Sequence, residues 1–332
     1  MSRYLRTVLH QDVAVAAAGN PIETNLGVNP ISFLLITLRA QVLAANINPT
    51  LANLLAVFSS VDVRFKGTSI VSLSLADLFR MAAALWGRFP ITSRISDPIN
   101  ETTTLTIPLP FARVPYWMNE AFPASRSGDL VLSLTIAAAF TNITGVTVQV
   151  EQIELLDAVP DQFLKYTTFN KTPTATGEHD TDLPLGNPIP GVLLFGTTVP
   201  TGTSFNASIG TLKLLVDNVE NFYSLANWES LHNDFIIRAF PEWDLSTELH
   251  RLAAAGVYAA NDISQGPASV VRVHDTYAYL DFDPLRDNNY LLETEGRGRV
   301  HLRINADVAD AIRILPVEII RLPGAERPAQ VI

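Results

Sequence analysis

The sequence predicts an all-β protein with short inserted helices, built as two tandem sandwiches. Three observations carry that expectation. Alternating or β-branched runs bounded by Gly, Pro, Asn and Asp recur along the chain, and helical periodicity is confined to a few short stretches. The segment "LGVNPISFLLI" that begins at Leu26 also returns, one residue shorter, as "LGNPIPGVLLF" beginning at Leu185.

Residues 1–19 read as an N-terminal arm. Arg3 and Arg6 precede a short apolar run at residues 13–18, far below the roughly 20 residues of a membrane span, and Gln11 and Asp12 interrupt it as a signal-peptide core. Residues 20–160 read as the first sandwich, with strands at 31–43, 61–74, 102–111, 130–140 and 146–156. Two helices interrupt them. In the first, Asn48 caps and Pro49 opens a helix with Leu51, Leu54, Leu55 and Phe58 at i, i+3, i+4 and i+7. In the second, Ser74 caps, Asp77 complements the first-turn dipole, a stripe runs through Leu75, Leu78, Phe79, Ala82 and Trp86, and Gly87 stops the helix.

Residues 161–186, rich in Thr, Pro, Gly and Asp, read as a linker or long surface loop. Residues 187–332 read as the second sandwich, with strands at 191–199, 211–216, 234–240, 268–282, 299–304 and 311–322. A helix is expected over 218–231, where Asp217 and Glu220 have capping-box spacing, and another after Ser246.

Landmarks recur in order. Asn29 matches Asn187 at an offset of 158, Phe79 matches Phe222 at 143 with Trp86 answering Trp228, and Leu134 and Val146 match Leu302 and Ile312 at 168 and 166. The drift is what loop-length changes produce. Six to eight strands per half, with helices only in long connections, fit two eight-stranded jelly rolls better than a parallel α/β sheet.

Such a doubled plan, with "LGVNPI" answered by "LGNPI", paired helices and two closing strand pairs, resembles the double jelly-roll major capsid proteins of tailless icosahedral viruses, the lineage that includes the adenovirus hexon. The resemblance spans nearly the whole chain; the family offers no short invariant motif to match residue by residue. It implies a structural, non-enzymatic virion protein that forms homotrimeric, pseudo-hexagonal capsomers tiling an icosahedral shell. Neighbouring capsomers, minor capsid or penton proteins and an internal membrane are the partners it implies, and the arm would lie at the base of the shell. Two other readings stand beside it: a carbohydrate-binding or carbohydrate-active sandwich whose Tyr116, Trp117 and Phe122 form a sugar platform, and a trimeric virion spike or appendage.

Composition agrees with assembly. Apolar residues make up 48% of the chain and charged residues 17%, against a usual charged share of about 25%, so much of the surface is expected to be buried against neighbours. The absence of Cys excludes disulfides, thiolate metal sites and Cys nucleophiles. A net charge of −10 with scattered basic residues argues against a protein that coats nucleic acid.

No catalytic, cofactor-binding or metal-binding residue is assigned. Glu178, Asp180 and Asp182 offer oxygen ligands for a structural Ca²⁺ but lack the Gly and closing Glu of an EF-hand loop, so a solvated acidic turn is expected. Asp281 with Asp283 and Glu293 with Glu295 have the pairing a glycosidase needs, without a sequence-visible cleft, and read as edge or turn charges. His232, His250, His274 and His301 read as ordinary histidines, since none has the spacing of a cupin metal site. The sequons at Asn100, Asn142, Asn206 and Asn170 matter only in a secretory pathway.

Overall fold

The computed structural model describes residues 3–43, 51–87, 102–200, 204–239 and 276–322. These part into two compact units, the first holding the described residues up to Thr167 together with 320–322, the second Thr168–Ile319.

The first unit contains β1 (Tyr4–Ala14), β2 (Ile22–Asn25), β3 (Ile31–Val42), β4 (Phe58–Phe65), β5 (Thr68–Leu73), β6 (Thr102–Pro110), β7 (Leu130–Ile136), β8 (Ile143–Leu155) and β9 (Gln162–Tyr166), with helices α1 (Leu51–Leu55) and α2 (Leu75–Trp86). One sheet runs β1-β8-β3-β6 and the facing one β2-β7-β4-β5, with β9 parallel to β5. Leu34, Ile36, Leu38, Leu105, Ile107, Leu109, Val148 and Val150 fill the core from one sheet, and Val61, Val63, Leu132 and Leu134 from the other. Burying each such side chain contributes about 1.5–3 kcal/mol.

Alternation wrote these strands into the sequence, and α2 lies where its stripe placed it. Ser74 Oγ accepts the Asp77 amide at 3.0 Å and Gly87 closes the helix at φ 64°. Residues 48–50 lie outside the described residues; α1 ends at Leu55 and Phe58 opens a strand instead of continuing the helix.

The second unit contains β10 (Phe169–Lys171), β11 (Gly177–Asp182), β12 (Gly191–Gly196), β13 (Thr211–Val216), β14 (Val219–Glu220), β15 (Ala226–Asn227), α3 (Trp228–Ala239), β16 (Tyr277–Asp281), β17 (Val300–Ala306) and β18 (Ile312–Arg321). Its sheets run β10-β18-β12-β16 and β11-β17-β13-β14, with β15 beside β13. Taken in chain order, the eight principal strands pair as in the first unit: first with eighth, eighth with third and third with sixth; second with seventh, seventh with fourth and fourth with fifth. That is a jelly roll, made twice.

Hydrogen bonds fix which residues correspond. Ile31 and Phe122 exchange backbone bonds at 2.9 Å, as Ile189 and Leu292 do at 3.0 and 3.1 Å. Pro30 O accepts the Leu155 amide and Pro188 O the Ile319 amide, both at 2.8 Å, while Asn29 and Asn187 bond Glu154 and Glu318 through their side chains. Phe111 N donates to Ser32 O and Phe282 N to Pro190 O, both at 2.9 Å. The Asn-Pro-Ile echo is therefore structural.

The flanking Leu-Gly is not part of it. Leu26 N donates to Leu130 O and Leu183 N to Val300 O, so Leu183 corresponds to Leu26, whereas Leu185 is exposed. The same bonds set the closing-strand offsets at 170 (Leu130 and Val300) and 164 (Glu154 and Glu318) instead of 168 and 166. A slip of two preserves which face each residue occupies, which is why the sequence pattern tolerated it.

Other expectations are corrected. Residues 4–14 are an edge strand paired with β8 from Tyr4↔Leu155 to Ala14↔Thr147, not an arm. The stretch 161–186 holds β9, β10 and β11 instead of being a linker. No helix begins at 218: Asp217 and Asn218, at φ 50° and 68°, form the two-residue turn between β13 and β14, and Asp217 Oδ1 accepts the Gly298 and Arg299 amides.

The helix starts at Trp228, with Asn227 Oδ1 accepting the Ser230 amide at 3.0 Å, so 234–240, read as a strand, is mostly helix. Trp228, Leu231, Phe235 and Ala239 supply the buried face. Phe222 sits in the preceding loop at φ 55° and does not answer Phe79. A matching turn, missed at Lys66-Gly67 (φ 49° and 82°), splits 61–74 into β4 and β5. The helix expected after Ser246 lies outside the described residues.

Candidate functional site

The three aromatics of the proposed sugar platform point to different environments. Phe122 is buried, its ring centroid 5.4, 5.7 and 5.0 Å from those of Phe65, Phe111 and Phe163. Trp117 lies under the Arg113 guanidinium at 5.8 Å. Tyr116, exposed at φ 63°, packs against Tyr4 at 5.1 Å and Phe33 at 5.3 Å.

The loop that carries them is held by a fully buried ion pair. Arg113 Nη2 donates to Glu120 at 2.7 Å, its Nε at 3.0 and 3.1 Å and its backbone N–H at 2.8 Å, while Gln162 adds a bond at 3.0 Å. Filling the carboxylate with donors offsets the desolvation of both charges. The sequence contained this pair without a signal that distinguished it from surface charge.

Glu178, Asp180 and Asp182 do not form a loop. They occupy one face of β11, opposite Asn305, Arg303 and His301 of β17. Arg303 grips Asp180 with two bonds at 2.8 and 3.0 Å and approaches Glu178 at 3.9 Å, and Arg299 meets Asp182 at 2.6 Å and Asp180 at 3.6 Å. The Arg303 hydrogen bonds hold the Asp180 carboxyl below its usual range. These oxygens serve guanidinium groups, so both the acidic turn and the cation site give way to an ion-pair ladder. Among the described residues, no three His, Asp or Glu side chains gather to hold a metal ion.

Asp281, almost fully buried, is bridged by Arg238 at 3.0 Å and Arg286 at 2.9 Å and accepts the Asp283 amide at 2.9 Å. Asp283 in turn accepts the Asn288 amide at 3.2 Å, so the pair closes a loop instead of lining a cleft. Nearby, Tyr223 receives the Asp281 amide, and burial pushes its phenol up to about 12. Glu293 and Glu295 lie in a loop on either side of Thr294, whose buried hydroxyl donates to Asn187 O at 2.7 Å.

His232 of α3 is bonded through Nδ1 to Tyr277 O at 2.7 Å, and burial lowers its pKa. His301 is fully buried on β17, on the face away from the core. Asn142, Asn206 and Asn170 sit at a turn, in a loop and in β10; His250, His274 and Asn100 lie outside the described residues. Arg6, in the segment read as an arm, is bidentate to Glu151 at 2.9 and 2.6 Å. No described helix is long and apolar enough to cross a membrane.

The residues that sequence reasoning missed are the clasps at Glu154 and Glu318. Their signal was a lone Glu inside an apolar run near the end of each closing strand, in "IELL" and "VEII".

No protein-family model matches the sequence, and no curated protein does. Solved structures do. The major capsid protein P2 from bacteriophage PM2 superposes with a TM-score of 0.60 at 13% identity, over 97% of this chain and 100% of that one. A chain of the atomic structure of Sulfolobus Turreted Icosahedral Virus gives 0.63 at 13% identity, over 96% and 91%. One from the PBCV-1 virus capsid gives 0.58 at 11%, over 96% and 94%. The likeness is one of fold, and it covers both sandwiches: the chain has the double jelly-roll fold of these viral capsid chains.

Proposed function

We propose that the chain is a structural major capsid protein of an icosahedral virion. The observation that supports it most is the doubled jelly roll with one strand order in both halves, matched over 91–100% of the length of the capsid chains it resembles. Three copies of a chain with two equivalent sandwiches present six similar units around one axis. Such a block can tile a closed shell with near-hexagonal contacts while keeping three-fold symmetry.

The low charge content and exposed apolar side chains on the first unit, Tyr4, Leu5, Val8, Val114, Tyr116 and Val159, support burial against other copies. The role is non-enzymatic: Asp281 is paired with two arginines and Asp283 closes a loop, which disfavours the glycosidase reading at that pair. Neighbouring capsomers are the main partners; minor capsid or penton proteins, and an internal membrane where one is present, are the remaining ones.

Size-exclusion chromatography with light scattering tests this. A stable species of about three times the 36.3 kDa chain mass, or spherical particles in electron micrographs, is expected. A monodisperse monomer that binds glycans overturns it.

A further inference from the structure

The outer face of β17 carries His301 and Arg303, Arg299 stands immediately before the strand, and all three converge on one carboxylate. Asp180 lies 3.6 Å from Arg299, 3.5 Å from His301 Nε2 and 2.8 Å from Arg303. The two guanidinium groups reach Asp180 from either side of His301. The imidazole is completely buried, and among the described residues neither ring nitrogen has a hydrogen-bond partner.

An imidazole in that position is suited to being neutral. Its protonated form needs acceptors for two N–H groups, yet the nearest carboxylate oxygen, Asp180 Oδ2, already receives Arg303 Nη2 at 3.0 Å. The surrounding charges come from every neighbouring element. β11 contributes Glu178, Asp180 and Asp182; β13 contributes Lys213, paired with Glu220 of β14 at 2.9 Å; β10 contributes Lys171, 3.4 Å from Asp180 O; the β13–β14 turn contributes Asp217, 3.9 Å from Arg297. Asp180 and Asp182 favour a proton on His301, but burial first and then the two arginines oppose it, and the pKa is lowered.

The strand attached by this ladder lies at the edge of its sheet. Among the described residues β11 is an edge strand, paired only with β17, and none of its own residues is buried. We propose that His301 is an acid-sensitive latch on β11: neutral, it packs within the Arg299–Asp180–Arg303 ladder; protonated, it leaves that site, disrupts the ladder and releases β11 from β17.

The sign follows from linkage. A histidine whose folded pKa lies below its ordinary value of about 6.5 takes its proton first in the opened state, so the closed strand is favoured fully above that pH and progressively less below it. Opening of β11 should increase by up to about tenfold per pH unit below 6.5, until the folded-state pKa is reached.

Amide hydrogen exchange of the full chain, followed by mass spectrometry at pH 7.5, 6.0 and 5.0 and corrected for intrinsic rates, reads this directly. Protection of 177–182 and of facing 300–306 is expected to fall on acidification while β3 and β8 keep theirs. The loss should persist in His232→Gln and His179→Gln, which remove the other described histidines of this unit, and disappear in His301→Asn or His301→Leu. Unchanged protection of β11 in the wild-type chain overturns the proposal even if neither His301 variant folds. So does a loss that spreads equally to β3 and β8, one that persists in a folded His301 variant, or one abolished by His232→Gln or His179→Gln.

Discussion

Asn187 Nδ2 donates to Glu318 Oε2 at 2.8 Å, and Asn29 makes the same bond to Glu154 in the other sandwich. In each unit the bond ties the entry of the third strand to the end of the last one, beside a proline carbonyl that accepts the next amide. Two copies of one clasp, 158 residues apart at the asparagines, are the most specific evidence of internal duplication.

Asn29→Ala and Asn187→Ala should each destabilise their own unit by about 1–3 kcal/mol, because each removes a hydrogen bond to a largely buried carboxylate. Denaturant unfolding, with exchange of the Leu155 and Ile319 amides as local reporters, checks this. An effect below the error of the measurement in both variants would remove the clasp from the energetic account.

Glu120→Ala should cost more, on the order of 3–5 kcal/mol, since it strips the fully buried Arg113 guanidinium of the carboxylate that meets it. The loss should appear as a lower denaturation midpoint of the first unit.

The turn at Lys66-Gly67 predicts a specific tolerance. Gly67 sits at φ 82° with open space where a Cβ would stand, and its counterpart Asn218 at φ 68°. Gly67→Asn should therefore be nearly neutral, whereas Gly67→Val should cost about 1–2 kcal/mol through left-handed strain alone. Equal melting temperatures for the two variants would contradict this.

Asp180 predicts an acid dependence separate from that of His301. Its folded pKa is lowered by Arg303, so its stabilising contribution is present above the ordinary carboxylate range and is lost as pH falls through the folded value. Asp180→Asn should flatten the decline of melting temperature below about pH 4. High salt should produce a smaller version of the same effect, because the ladder is partly exposed.

The strands that bury one face were legible in the sequence. β3, β6, β13 and β18 lie within a residue or two of where alternation put them, and Ser74 and Gly87 marked α2. What failed was local in a different way. β1 and β11 are edge strands with little buried surface, so solvent on both sides erased the alternation that identifies a strand, and an arm and a linker were read instead. Asp217 and Glu220 had the spacing of a capping box, but a two-residue hairpin claimed them first.

The sequence by itself determined the class, the two halves and the Asn-Pro-Ile landmarks, because hydrophobic period and turn residues act over a few positions. Only the tertiary structure decided the pairing: that Glu154 meets Asn29 and Glu318 meets Asn187, that Arg299, His301 and Arg303 converge on Asp180, and that Leu183 corresponds to Leu26. Those partners are separated by more than 100 residues, and which of many compatible registers is adopted depends on sheet closure around a shared core, not on any local pattern.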